Sequence, residues 1–195
     1  SSTAMGRGTI ASGDDSTAIG ANTEASGIGS TAMGVNTTAS GQYATAIGFR
    51  ATASESRSVA MGNNTTANGY GSTAMGMGTT ASGVGSTAMG GFTTASGNGT
   101  TAIGNNTTAN GYGSTAMGYH TEASDRSSLV VGEYNLLGST VTNSATVFSL
   151  ENTAFVIGNG ADAENRSDAL TVLFDGTTTI AGDLSLNSDA RLKAN

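Results

Sequence analysis

The chain has 195 residues, 30 of them Gly, and contains no Pro, Cys or Trp. Its net charge is -7, with charged residues at 11% and aromatics at 5%. That acidic balance excludes nucleic acid and anionic membrane surfaces as partners, because both call for a basic footprint. The lack of Cys removes disulfides and thiolate metal sites, and the lack of Pro excludes collagen.

The chain is organised as a repeat. Gly recurs at 6, 20, 34, 48, 62, 76, 90, 104, 118 and 132, a strict spacing of 14. Before each stands one apolar residue: Met5, Ile19, Met33, Ile47, Met61, Met75, Met89, Ile103, Met117 and Val131. Ala recurs at 11 and every fourteenth residue to 123, and the consensus reads S-T-A-[MI]-G-x-[NG]-T-T-A-[SN]-G-x-x. The repeat is already running at Ser1, so the sequence reads as a segment of a longer protein. No leader peptide or membrane-spanning run is visible in it.

Fourteen residues are too few for a helical hairpin but suit two short strands and two tight turns. In each unit S-T-A-M is the first strand. Gly and Asn, as at Gly34 and Asn36, supply positive φ at the turn that follows. T-T-A-S is the second strand, and a second Gly, as at Gly41, marks the other turn. Units stack by parallel pairing at about 4.8 Å, so ten make a rod about 45–50 Å long. Proline would remove a ladder donor from every unit, which accounts for its absence.

Strand alternation sets the faces. Ala4 shares a face with Ser2, and Ala11 with Thr9, while Met5 points the opposite way with Thr3. Only methyl-sized groups fit between two sheets joined by such short turns, so the Ala columns face inward. The Met/Ile column then lies outside, as a long apolar stripe that calls for a partner. A roll with Met inside is the alternative.

The pattern breaks after Gly132, and the next matching Gly is Gly158, 26 residues on. Residues 133–152 are read as an insertion that caps the roll. Residues 153–187 are read as a last coil with connecting strands, around Leu170–Phe174 and Thr177–Ile180 about an Asp175-Gly176 turn. Three charge pairs, Glu55/Arg57, Asp125/Arg126 and Glu164/Arg166, are expected to form ion pairs at turns, within or between chains.

S-T-A-M-G-x-N-T-T-A-S-G over residues 1–132 resembles the head repeat of YadA-like trimeric autotransporter adhesins. The resemblance implies an all-β, left-handed parallel β-roll assembled as a homotrimer. The partner of the outer column is then two further copies, and closed threefold symmetry buries one patch per chain. The family often has Val where Thr3, Thr17 and Thr31 stand, so this trimer centre is more polar. A second resemblance is carried by S-D-A-R-L-K at 188–193, which looks like the opening of the intramolecular chaperone domain of tail spikes and endosialidases. It implies Ser188 as a self-cleavage nucleophile activated by Lys193, a pair that is chemically sound. The rest of that domain is missing from the sequence, so the pair is expected to be inactive.

Other chemistry is thin. His120 is the only His and falls at a turn, where an exposed position is expected, so no metal, cofactor or catalytic constellation is expected. The variable turn positions carry unusual apolar and aromatic residues. Tyr43, Phe49, Tyr70, Phe92, Tyr112 and Tyr119 are the candidates for contact with a host glycan or matrix protein. The expected function is an extracellular, non-catalytic adhesin head, on a bacterial surface or in a virion tail fibre. A rigid spacer is the alternative, and an ice-binding array of Thr38, Thr66, Thr80, Thr94 and Thr108 a third reading.

Overall fold

A computed structural model describes residues 1–138 and 145–183; Ser188 and Lys193 lie outside them. Its core element is a parallel β-solenoid of 14-residue coils. Each coil holds a five-residue strand, from Thr3–Arg7 to Leu129–Glu133, and a two-residue strand, from Ile10–Ala11 to Glu122–Ala123. Among the described residues the long strands stack into a sheet that grows to 13 members, and the short ones into a sheet of nine. Register is the repeat itself: Thr3 pairs with Thr17, Met5 with Ile19, Gly6 with Gly20.

Hydrogen bonds run around the whole circumference. At strand starts the amide donates to the following coil, as from Thr17 to the Ser30 carbonyl at 2.9 Å. At both turns it donates to the preceding coil, as from Asn36 to Ala21 at 2.9 Å and from Tyr43 to Ile28 at 2.7 Å. A proline at any of these positions deletes one rung of the ladder.

The two glycine columns exist for different reasons. Gly34 has φ 125°, and a Cβ on it would also strike the carbonyl oxygen of Gly48. Two residues on, Asn36 is left-handed at φ 55°, as the Gly/Asn pattern led one to expect. Gly41 has no positive φ; it is there for space, since a Cβ would land on the Glu55 carbonyl oxygen. Left-handed backbone at that turn falls on the Tyr43 position instead, with φ 58°. Turn chemistry of this kind follows from the neighbouring coil rather than from the turn's own residues.

The interior is as narrow as its residues require. From the second coil on, Ala18, Ala32 and their equivalents to Ala116 in the long strands, and Ala25, Ala39 and theirs in the short ones, are 0% exposed. Between them lie buried columns of Ser, at Ser16 and Ser30, and of Thr, at Thr23 and Thr37. Two members of the Ser column close the turn before them: Ser58 Oγ donates to the Glu55 carbonyl at 2.6 Å and Ser128 Oγ to that of Asp125 at 2.8 Å. Thr65, Thr79 and Thr93 hydroxyls are buried without a protein partner.

Beyond Leu129–Glu133 the coil opens. Val130 and Val156 take the place of Ala inside, and both remain buried. The strand Thr153–Asn159 continues the parallel sheet across the 26-residue gap, with Gly132 opposite Gly158. The chain then reverses: Asp168–Leu173 pairs antiparallel with Thr153–Asn159, and Thr178–Ile180 with Asp168–Leu173. Among the described residues no short strand stacks on Glu122–Ala123, so Leu129–Glu133 is half a coil. The exposed edge is closed by one side chain instead. Asn135, 2% exposed, accepts from the Glu122 amide at 2.8 Å and donates to the Glu122 carbonyl at 3.0 Å, standing in for a strand. An edge strand without such a cover invites further pairing.

Candidate subunit contact and ligand-reading corners

The column before the repeat glycine lies on the outside of the long-strand sheet, and the Ala columns lie inside. Met33 and Met117 are 37% and 41% exposed, and Met5, on the first coil, 57%. Ile19, Ile47, Met61, Met75, Ile103 and Val131 are half-buried on the same face. Each stands opposite the next in register, from Met5 and Ile19 to Met117 and Val131. The alternative with Met inside is therefore not the arrangement adopted. One member was missed: Ile157 pairs with Val131 and is 36% exposed. Its sequence signal, an apolar residue before Gly158, was present but displaced by 12 residues.

The six candidate aromatics separate onto two corners. Tyr43, Tyr70 and Tyr112 sit at the turn after the short strands, at 56%, 46% and 46% exposure. Phe49 and Tyr119 end long strands, and Phe92 sits at the turn that follows one. The two groups form no common site.

Arginines, not carboxylates, organise these corners. The guanidinium of Arg57 lies 5.7 Å from the Tyr70 ring centre and donates to its hydroxyl at 2.6 Å. Arg126 lies 4.9 Å over Tyr112 and donates to the Thr146 carbonyl. Arg166 lies 5.5 Å over Tyr134 and donates to the carbonyls of His120 and Asn135. None of the three expected charge pairs forms within the chain; among the described residues the one ion pair joins the Ser1 amino group to Asp15. The reason is geometric. In each of these three the ring against the arginine comes from another coil rather than from its acidic sequence neighbour.

Asp125 has a different task. It stands in the glycine column of the last complete coil, beside the returning chain. Its carboxylate is buried and accepts from both the amide, at 2.8 Å, and the hydroxyl of Thr153. The Tyr112 amide donates to Ala145 at 2.8 Å, so returning chain is tied to the coils at several points. His120 sits at its expected turn but is half-buried rather than exposed. It stacks on Tyr134 at 4.6 Å, with Tyr119 edge-on at 4.4 Å. Burial and a hydrogen bond to Tyr119 push the Tyr134 phenol up.

A smaller feature lies at the corner after the long strands. Phe49, Arg50, Asn63, Asn64, Met77 and Phe92 surround a cup of about 300 Å³ floored by Gly78. Only Phe49 and Phe92 had been singled out from sequence. Arg50 and Phe92 carry a signal that was available: they are bulky residues in a turn column otherwise filled largely by Asn and Gly.

With this geometry in place, comparison with known families is decisive. The model of the YadA head domain repeat (2 copies) matches residues 1–23, 25–51, 53–79, 81–107 and 109–132. The chain belongs to the YadA head family. The matched segments span the nine complete coils and end at Gly132, where the parallel stack opens. No curated protein sequence matches the chain. A YadA head is a surface-exposed, generally non-enzymatic domain of the trimeric autotransporter adhesin type, and such adhesins bind surface ligands as trimers.

Proposed function

We propose that this YadA-type head assembles as a homotrimer through the Met5-to-Val131 column and reads host-surface ligands with its corner residues. The observation that carries the reading is the outward apolar column, continuous and in register over ten long strands. Burying the exposed part of one such side chain contributes about 1 kcal/mol. The whole column therefore contributes on the order of 10 kcal/mol per chain. Association costs about 4–15 kcal/mol, so several coils must act together to hold the trimer.

Exposed aromatics at both corners supply stacking surfaces of the sort that sugars and extended peptides use. The test is adhesion of the purified trimer to host cells and matrix proteins, compared with Tyr70→Ala and Tyr112→Ala. Loss of adhesion with the trimer intact supports reading at those corners. Full adhesion by both variants removes them from the ligand surface. The unbroken register also suits a rigid spacer, and removing one whole coil distinguishes the two. A spacer keeps its function with a shorter rod, whereas a site spread over several coils loses it.

A further inference from the structure

The cup at the fourth to seventh coils brings together groups that the repeat itself does not require. Its floor is Gly78, and the Phe92 ring lies across it: a Cβ on Gly78 would come within 2.7 Å of the Phe92 Cδ1. The opposite wall is Phe49, with the Arg50 guanidinium 5.0 Å from its ring centre. Met77 adds an apolar side at 49% exposure, and the amides of Asn63 and Asn64 complete the rim.

Two further facts mark the place. Arg50 and Phe92 hold left-handed backbone, at φ 52° and 53°. Asn36, Asn64 and Gly78 occupy the same column, and Asn and Gly tolerate that region where bulky side chains carry strain. Strain of this kind persists where a side chain is wanted for a task. Arg50 also has no carboxylate partner among the described residues, in a chain of net charge -7. It is an exposed cation beside aromatic and amide groups, open to an anion from outside.

We propose that this cup binds one acidic monosaccharide residue of a surface glycan. The inference rests on the ligand-binding reading above and names the chemistry of one site. An aromatic ring packs on the C–H face of a sugar. Arg50 pairs with its carboxylate through parallel N–H donors. Asn63 and Asn64 offer donors and acceptors to its hydroxyls. The volume lies at the small end of ligand pockets, which suits a single ring.

The test uses the whole chain in its solution oligomer. Glucuronic acid and N-acetylneuraminic acid are titrated against it by NMR, with glucose and N-acetylglucosamine as neutral controls. The two acids tell a uronic from a sialic source. Arg50→Asn and Phe92→Asn restore the residue that the column tolerates, so both fold, and a melting temperature equal to or above the parent's confirms it. At least tenfold preference for one acid, lost in Arg50→Asn, supports the site; weakening of every bound sugar in Phe92→Asn supports the stacking wall. Unchanged binding in both variants overturns it. A parent that adheres to cells yet binds neither acid overturns the cup while leaving adhesion standing. A parent that adheres to nothing overturns the broader reading instead, and the titration then decides the cup alone. A fall in oligomer mass on Phe92→Asn shows that a second copy covers the cup and also overturns the proposal.

Discussion

From Thr3 to Ala123 the chain solves one packing problem nine times; from Leu129 to Ile180 it solves a different one once. In the coils, the same backbone hydrogen bonds recur from one coil to the next, and the interior admits nothing wider than Ala, Ser or Thr. At the end there is no equivalent. There the chain uses individual side chains: Asn135 in place of a strand, Asp125 as a clamp on Thr153, and Arg166 spanning the His120 and Asn135 carbonyls. Stability in the first region is a property of the period. In the second it hangs on single residues, and mutations in the two should behave accordingly.

The largest effect is expected inside the coils. Ala74→Leu forces three carbons more than a methyl-sized space admits. It should cost about 3 kcal/mol or more in denaturant unfolding. Ala169→Leu, half-buried in the closing antiparallel strand, should cost under about 1 kcal/mol. Equal losses would erase the distinction between the regions.

Next comes the clamp. Asp125→Gly returns the position to the residue of all other coils but the fourth, which has Glu55, and removes the acceptor of two hydrogen bonds from Thr153. A loss of about 2 kcal/mol is expected. In hydrogen exchange it should appear at 145–159 and leave the first eight coils protected. Uniform deprotection would show that the end and the coils unfold as one.

A stabilising change should also exist within the coils. The Thr79 hydroxyl is buried without a protein partner, and Thr79→Val replaces it with a methyl of similar shape. A gain of about 1 kcal/mol is expected from thermal melting, and a loss would reveal a partner for the hydroxyl.

The smallest effect concerns pH at the end. Burial raises the Asp168 carboxyl above its ordinary range, outweighing the hydrogen bonds from the Leu136 amide and Thr171. The folded form then holds its proton more tightly than the unfolded form. This contribution is full below the ordinary Asp range and is lost as pH rises through the raised value. Asp168→Asn should flatten that slope in the closing strands and leave the coils untouched.

The same contrast explains what could be read in advance. A strict period reveals which residues face one another, so register, inward Ala and outward Met were legible from spacing alone. What depended on a specific neighbour was not. Gly41 was assigned to a turn but not to the carbonyl that excludes its Cβ. Arg57 was matched with Glu55 by proximity in sequence, whereas its partner Tyr70 stands one coil away, 13 residues on. Asn135 gave no warning of its role, because an Asn after a turn normally reports only the turn. At the candidate site, Phe49 and Phe92 stood out as odd aromatics near turns, whereas the oddness of Arg50 in its Asn/Gly column went unused. The cup it shares with them spans four coils and exists only once these are stacked.

The central claim is that the apolar column of the coils is covered by two further copies of the chain. Light scattering on the purified chain tests it most directly. The expected particle has three times the 19.0 kDa chain mass and falls to a single chain when Met61 and Met75 are both replaced by Glu. A parent that is monodisperse at 19.0 kDa, with its column open to water, would contradict it.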